Sequence, residues 1–130
     1  MGLQDLLVDP EALDRELLAT ILKAFVLVEK GTGTIRFTPA WNRLPAPGKV
    51  LAYLLARKAV RALGLTEKEA VLPKQIERHT GIKGGTLRPV LKRLHDERLL
   101  DKDADGYKVP NQAIELAKAM LERASGELRA

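Results

Sequence analysis

Pro73-Lys-Gln-Ile-Glu-Arg-His-Thr-Gly-Ile-Lys-Gly-Gly-Thr-Leu-Arg-Pro-Val-Leu-Lys-Arg-Leu-His-Asp-Glu-Arg-Leu-Leu100 reads as two short helices joined by a glycine-containing turn. Pro73 suits the first position of a helix, where its missing N–H has no intrahelical partner to lose. Ile76 is expected to face the core, with Lys74, Glu77 and Arg78 toward water. Gly81 can adopt the left-handed conformation that stops a helix, and Ile82 then fills the angle between the two helices. Thr86 is a good N-cap for the second helix, which puts Pro89 at the third helical position, another place where an N–H is not missed.

From Leu87 onward the apolar residues fall at 87, 90, 91 and 94, one stripe of a 3.6-residue period. The opposite face carries Arg88, Pro89, Lys92, Arg93 and Asp96. On a lone helix such a face is ordinarily only solvated. Here it follows one helix and precedes a hairpin signal, Leu99-Leu-Asp-Lys-Asp-Ala-Asp-Gly-Tyr-Lys-Val-Pro110, with Asp-Gly at its tip. Helix, turn, helix and two-stranded wing place one basic helix on the surface, where a DNA major groove can receive it.

Residues 70–110 resemble the winged-helix DNA-binding domains of bacterial and archaeal transcription regulators. The resemblance rests on Ile76, Thr80, Gly81, Ile82, Thr86, Leu87, Leu91, Leu94, Leu99 and Leu100 and covers about a third of the chain. Gly84, Gly85 and Pro89 depart from it, because many relatives carry base-touching polar residues at these positions. The resemblance implies a winged helix-turn-helix, with residues 86–98 as the helix that reads DNA.

Composition sets the outer bounds. With 130 residues, 45% apolar and 30% charged, the chain is expected to form one globular core. No apolar run approaches a membrane span, and Met1-Gly-Leu-Gln-Asp lacks the basic start of a signal peptide. There is no cysteine, hence no disulfide framework and no thiolate metal site; a cytoplasmic location is the expectation. The net charge of +5 is uneven: residues 1–45 carry −1, residues 46–72 carry +3, residues 73–110 carry +3, and residues 111–130 are neutral. Positive charge in the middle of the chain permits a polyanionic partner.

Outside the central motif, Asp9-Pro10-Glu11 is expected to open an N-terminal helix, with Leu13, Leu17, Ile21 and Leu22 on one apolar face and Leu18, Phe25, Val26 and Val28 widening it near the end. Lys30-Gly-Thr-Gly breaks it, and the alternating residues 34–38 form a short strand. Trp41 and Pro45-Ala-Pro47 lie in a connection. A helix over residues 48–63 follows, with Val50, Leu51, Leu54, Leu55, Ala59 and Leu63 inward. Ala70-Val-Leu72 is a short strand pairing with the wing, and Asn111 caps a final helix that turns Ile114, Ala117, Met120 and Leu121 to one side.

Two motifs point elsewhere and are set aside. Asp101-Lys-Asp-Ala-Asp-Gly106 matches the opening of a calcium-binding loop, but Gln112 stands where a bidentate glutamate should close the shell, and Pro110 interrupts it. Gly81-Ile-Lys-Gly-Gly-Thr86 is glycine-rich before a helix but lacks the lysine placement of a nucleotide-binding loop; its free N–H groups at residues 85–87, with Lys83, suit a single phosphate oxygen. His79 and His95 have no nucleophile or carboxylate pair spaced around them, so His79 reads as a helix-end or surface group, and no enzyme is expected. Trp41 and Tyr53 are too isolated to form a base-stacking platform.

The expected architecture is thus mostly α with a small antiparallel β-wing: a helix–strand extension (1–45), a winged-helix domain (46–110) and a C-terminal helix (111–130). The expected function is binding of double-stranded DNA by a small transcription regulator. Arg88, Lys92 and Arg93 enter the major groove, Lys74, Lys83 and Thr86 hold phosphates, and Lys102 and Lys108 make secondary wing contacts. Asp101, Asp103 and Asp105 oppose phosphate at the wing tip. The rival reading is a winged helix acting as a protein-interaction module in a larger complex. No cofactor, metal or small-molecule ligand is expected. A homodimer through the terminal helices is expected, because their apolar stripes exceed what one three-helix core buries.

Overall fold

The chain is described by a computed structural model covering residues 2–7, 9 and 12–129, with side chains up to residue 126. Its central element is a 17-residue helix, α3 (Ala46–Ala62), entered through Pro45 and Pro47, which fix the backbone at its first turn. Residues 50–56 (Val-Leu-Ala-Tyr-Leu-Leu-Ala) carry no charge around the whole circumference, and all seven are fully buried. A helix apolar all round is covered all round. The one-sided helix expected from the sequence is corrected accordingly: Ala52, Tyr53 and Ala56 are also inside, whereas Leu63, expected inward, is 60% exposed beyond the helix end.

The N-terminal segment covers one side of α3. Helix α1 (Arg15–Leu22) starts where Asp14 accepts the Leu17 N–H at 3.0 Å, not at Asp9. The expected start at Pro10 and Glu11 lies outside the described residues, and residues 12–14 are not helical. Val26 and Val28, expected to extend the helix, instead form strand β1 (Val26–Val28), paired antiparallel with β2 (Ile35–Phe37) in the register Val26↔Phe37 and Val28↔Ile35. β-Branched residues facing an alternating partner across a glycine turn favour the sheet. A short helix α2 (Pro39–Asn42) then seats Trp41, which is expected in a loop but is 3% exposed. Its indole N–H donates to the Lys49 carbonyl at 3.1 Å and its ring stacks on Phe37 at 3.7 Å.

The central motif forms as α4 (Pro73–Thr80) and α5 (Gly84–Asp96), followed by the hairpin β3 (Asp101–Asp103) and β4 (Gly106–Lys108). Gly81 ends α4 at φ 77°, donating its N–H to the Glu77 carbonyl. Thr80 locks the turn: its hydroxyl donates to the Ile76 carbonyl at 2.6 Å and accepts the Ile82 N–H at 3.2 Å. Val71 pairs with Tyr107 as a third, single-bridge strand. The last helix, α6 (Ile114–Arg129), is preceded by a tight turn at Asn111–Ala113. The described chain is therefore mostly helical with two small antiparallel hairpins, and none of its described helices is long and apolar enough to cross a membrane.

One core joins every part. Leu18, Ile21 and Leu22 of α1 and Ile114, Ala117, Leu121 and Ala124 of α6 belong to the same buried cluster as α3, α4 and α5. The terminal stripes are thus covered within the chain, which removes the ground on which a dimer was expected. Inside this core lies an ion pair: Lys58 and Glu69, 5% and 6% exposed, meet at 2.9 Å, and the Lys58 ammonium also donates to Asn111 Oδ1.

Two outcomes follow from this packing. Glu69→Ala strands a buried ammonium and should destabilise by about 3–5 kcal/mol, whereas Lys58→Met with Glu69→Leu should recover most of that loss; urea unfolding of both variants checks it. Gly106 sits at φ 118°, and a Cβ there would lie 2.1 Å from the Val71 carbonyl oxygen. Gly106→Ala should therefore lower stability by about 2–4 kcal/mol, read by thermal melting.

Candidate nucleic-acid interface

Helix α5 is held from beneath by Leu87, Leu91 and Leu94, all buried, with Val90 half-buried beside them. This fixes its rotation and leaves Gly85, Thr86, Arg88, Pro89, Lys92 and Arg93 exposed on the other side. Its start differs from expectation. Lys83 is the N-cap, with no side-chain cap bond, so Thr86 is the third helical residue, and Pro89 stands inside the helix as the sixth. The Lys83 carbonyl accepts the N–H groups of both Thr86 and Leu87. The N–H groups without a backbone acceptor are therefore those of Gly84 and Gly85, not residues 85–87, and the Glu77 carboxylate lies beside Gly84 while Gly85 is exposed. Pro89 withholds the donor that the Gly85 carbonyl would otherwise accept, and Gly85 is exposed, so water can replace it.

The expected contact residues divide into two sets. Arg88 and Lys92, one turn apart on α5, lie on the same exposed face, with the exposed Thr86 on the other flank of the helix, and neither cation is paired with a carboxylate among the described residues. Lys83 precedes them in the turn, and Lys74 sits exposed in the first turn of α4. Arg93 is on the same helix but is engaged, its Nε–H donating to Glu97 at 3.1 Å.

The wing lysines are not brought together. In the β3–β4 register Lys102 opposes Tyr107 while Lys108 opposes Asp101, so the two lysines stand on opposite faces of the hairpin. Lys102 lies 5.5 Å from the Tyr107 ring centre. Lys108 is half-buried beside Asp101 in the cavity over Lys58 and Glu69, which withdraws it from a surface shared with Lys102. Asp105 pairs with Lys68 at 3.4 Å, and Asp103 accepts the Asp105 N–H, so part of the acidic tip is used in shaping the turn.

Sequence reasoning missed one polar contact altogether. Tyr53, taken as isolated, is buried and hydrogen-bonded to His79 Nδ1 at 2.5 Å. Burial pushes the Tyr53 hydroxyl up to about 12, against the opposing effect of Arg57. It therefore keeps its proton at neutral pH and donates it, which leaves the neutral imidazole protonated at Nε2. Burial, and then Arg57 and Arg78, hold His79 below its ordinary 6.5. The readable signal was Tyr53 itself, the one hydroxyl in the uncharged run of residues 50–56.

No protein-family model, curated protein or solved structure matches this chain. What it does must be argued from its own surfaces.

The histidine carries a pH consequence. A depressed folded-state value means the unfolded chain takes up the proton first, so this stability is present above about pH 6.5 and is lost as the pH falls through the lower folded value. Urea titrations at about pH 7.5 and 5.5 should show wild-type stability dropping, with a smaller drop in His79→Gln.

Proposed function

We propose that the chain is a winged-helix protein that binds double-stranded DNA, with α5 in the major groove, and that it serves as a small cytoplasmic transcription regulator and not as an enzyme. The observation that carries this reading is the exposed face of α5. Arg88 and Lys92 stand there with no carboxylate partner among the described residues, on a helix whose rotation is fixed by Leu87, Leu91 and Leu94. The order helix, turn, helix and hairpin, with Val71 as the third strand, supports it.

Arg88 is the base reader in this proposal, because its guanidinium can pair bidentately with guanine. Lys92, Lys83, Lys74 and Thr86 hold phosphates, along with the exposed N–H of Gly85. Arg93 contributes by exchanging Glu97 for phosphate. Of the wing lysines, only one of the two faces can meet DNA, and Lys102 is assigned that part. The proposal does not include a homodimer.

The test is duplex binding at two salt concentrations with full-length protein. Lys92→Gln should weaken binding similarly on any sequence and reduce the salt slope by about one unit. Arg88→Gln should cost about 1–3 kcal/mol on a selected site and less on unrelated DNA. Both side chains lie outside the core, so folding should be intact by circular dichroism. A folded double variant with unchanged affinity at low salt would remove α5 as the DNA reader and leave the protein-interaction reading in its place.

A further inference from the structure

On another part of the molecule, the β1–β2 turn, α3 and the end of α4 enclose a cleft of about 460 Å³. Its polar lining comes from Arg57, Arg78, His79, Thr32 and Thr34, and Ile35 and Phe37 supply an apolar wall. Among the described residues no carboxylate lines it: Glu29, the acid of the adjoining turn, is committed to Arg36 at 2.6 Å and to the Thr32 hydroxyl.

Arg57, Arg78 and His79 differ in how they are held. Arg57 is tethered by its Nε–H to the Glu69 carbonyl at 3.3 Å and by Nη2 to the Lys68 carbonyl, which leaves Nη1 unspoken for. Arg78 is exposed and has no carboxylate partner among the described residues. His79 is fixed through Nδ1 by Tyr53, so its remaining ring N–H is available as a donor. Both guanidiniums act on the His79 imidazole, so positive charge is concentrated at one place, and no described residue of the lining is acidic.

We propose that this cleft binds a small phosphomonoester with a flat apolar body, its phosphate held by Arg57, Arg78 and the His79 ring N–H and its body resting on Ile35 and Phe37. Two guanidiniums match the charge of a dianion, and their planar forks match phosphate oxygens. The volume is within the range of small-molecule sites, and the apolar wall adds area that inorganic phosphate cannot use. The proposal does not rest on DNA binding. It revises the expectation that the chain has no small-molecule ligand.

Phenyl phosphate is the probe, with inorganic phosphate and phenol as its two halves. Calorimetry and thermal melting of the full-length protein should show saturable binding of phenyl phosphate, weaker binding of inorganic phosphate and none of phenol. Arg78→Gln should weaken phenyl phosphate about ten- to hundredfold, as expected for one charge-assisted hydrogen bond. Arg78→Lys should fall between, and Lys118→Gln, which removes the same charge on α6, should change nothing. The exposed position of Arg78 keeps these variants folded. Absence of saturable binding up to about 10 mM, well above a millimolar dissociation constant, would overturn the proposal. So would equal losses in Arg78→Gln and Lys118→Gln, which would mean net charge alone. Because the phosphate of a DNA backbone shares this chemistry, duplex binding is measured alongside. Arg78→Gln should leave it unchanged, and a loss matching that of Lys92→Gln would assign the cleft to DNA and overturn the small-molecule site.

Discussion

Every other feature of this fold depends on the burial of α3 around its full circumference. A helix with one polar side needs neighbours on the other side only. Residues 50–56 have no polar side, so neighbours are required on all of them. α5, α4 and β4 supply part of the cover, and α1, α2, β1 and α6 supply the rest. At about 1.5–3 kcal/mol for each large buried side chain, uncovering one flank of α3 would remove a large share of the stability of a domain this size. The helix–strand extension and the C-terminal helix are therefore structural walls. The division into extension, central domain and terminal helix is a division of sequence, while the core runs through all three.

The parts legible in the sequence were those decided locally. Gly81 at a helix end and the stripe at 87, 90, 91 and 94 follow from the conformations those residues allow, and a hairpin forms where Asp105-Gly106 implies one, although its two-residue turn is Ala104-Asp105 and Gly106 already pairs with Asp103. The N-terminal segment was misread because residues 21–28 form a nearly continuous apolar run, where period cannot separate helix from strand. The decision is made by the partner strand, Ile35–Phe37, across the turn. Lys58 was unreadable for a related reason. A lysine in a helix is ordinarily exposed, and only the arrival of Glu69 and Asn111 from distant parts of the chain makes its burial tolerable.

The interface shows the same split. The outward direction of Arg88 and Lys92 follows from the helix period alone, and the structure places both as the sequence implies. The wing lysines needed a strand register, which a hairpin tip does not reveal without knowing which residues face one another. One residue of register turns a side chain to the opposite face. Arg93 was read as a groove residue without its i,i+4 neighbour Glu97, with which it pairs at 3.1 Å.

α4 stands between the two basic surfaces. Its first turn carries the exposed Lys74, while its last turn carries Arg78 and His79 into the cleft under the β1–β2 turn. The helix is only eight residues long and is clamped at its end by Gly81 and the Thr80 hydroxyl, so it has little freedom to bend between them. His79 is further tied to α3 through Tyr53, and Tyr53 lies 6.3 Å, ring centre to ring centre, from Phe37 of β2, which stacks on Trp41. That aromatic series links the N-terminal hairpin to the end of α4 by direct contact. A change in the charge carried by the cleft would thus act on the element that positions the turn before α5, through packed groups and not through a flexible loop. The extension that encloses α3 also forms one wall of the second polar site. That dual position explains why residues 26–41 contribute both core aromatics and the exposed Thr32 and Thr34, and why cover for the core and access to the cleft are set by the same short hairpin.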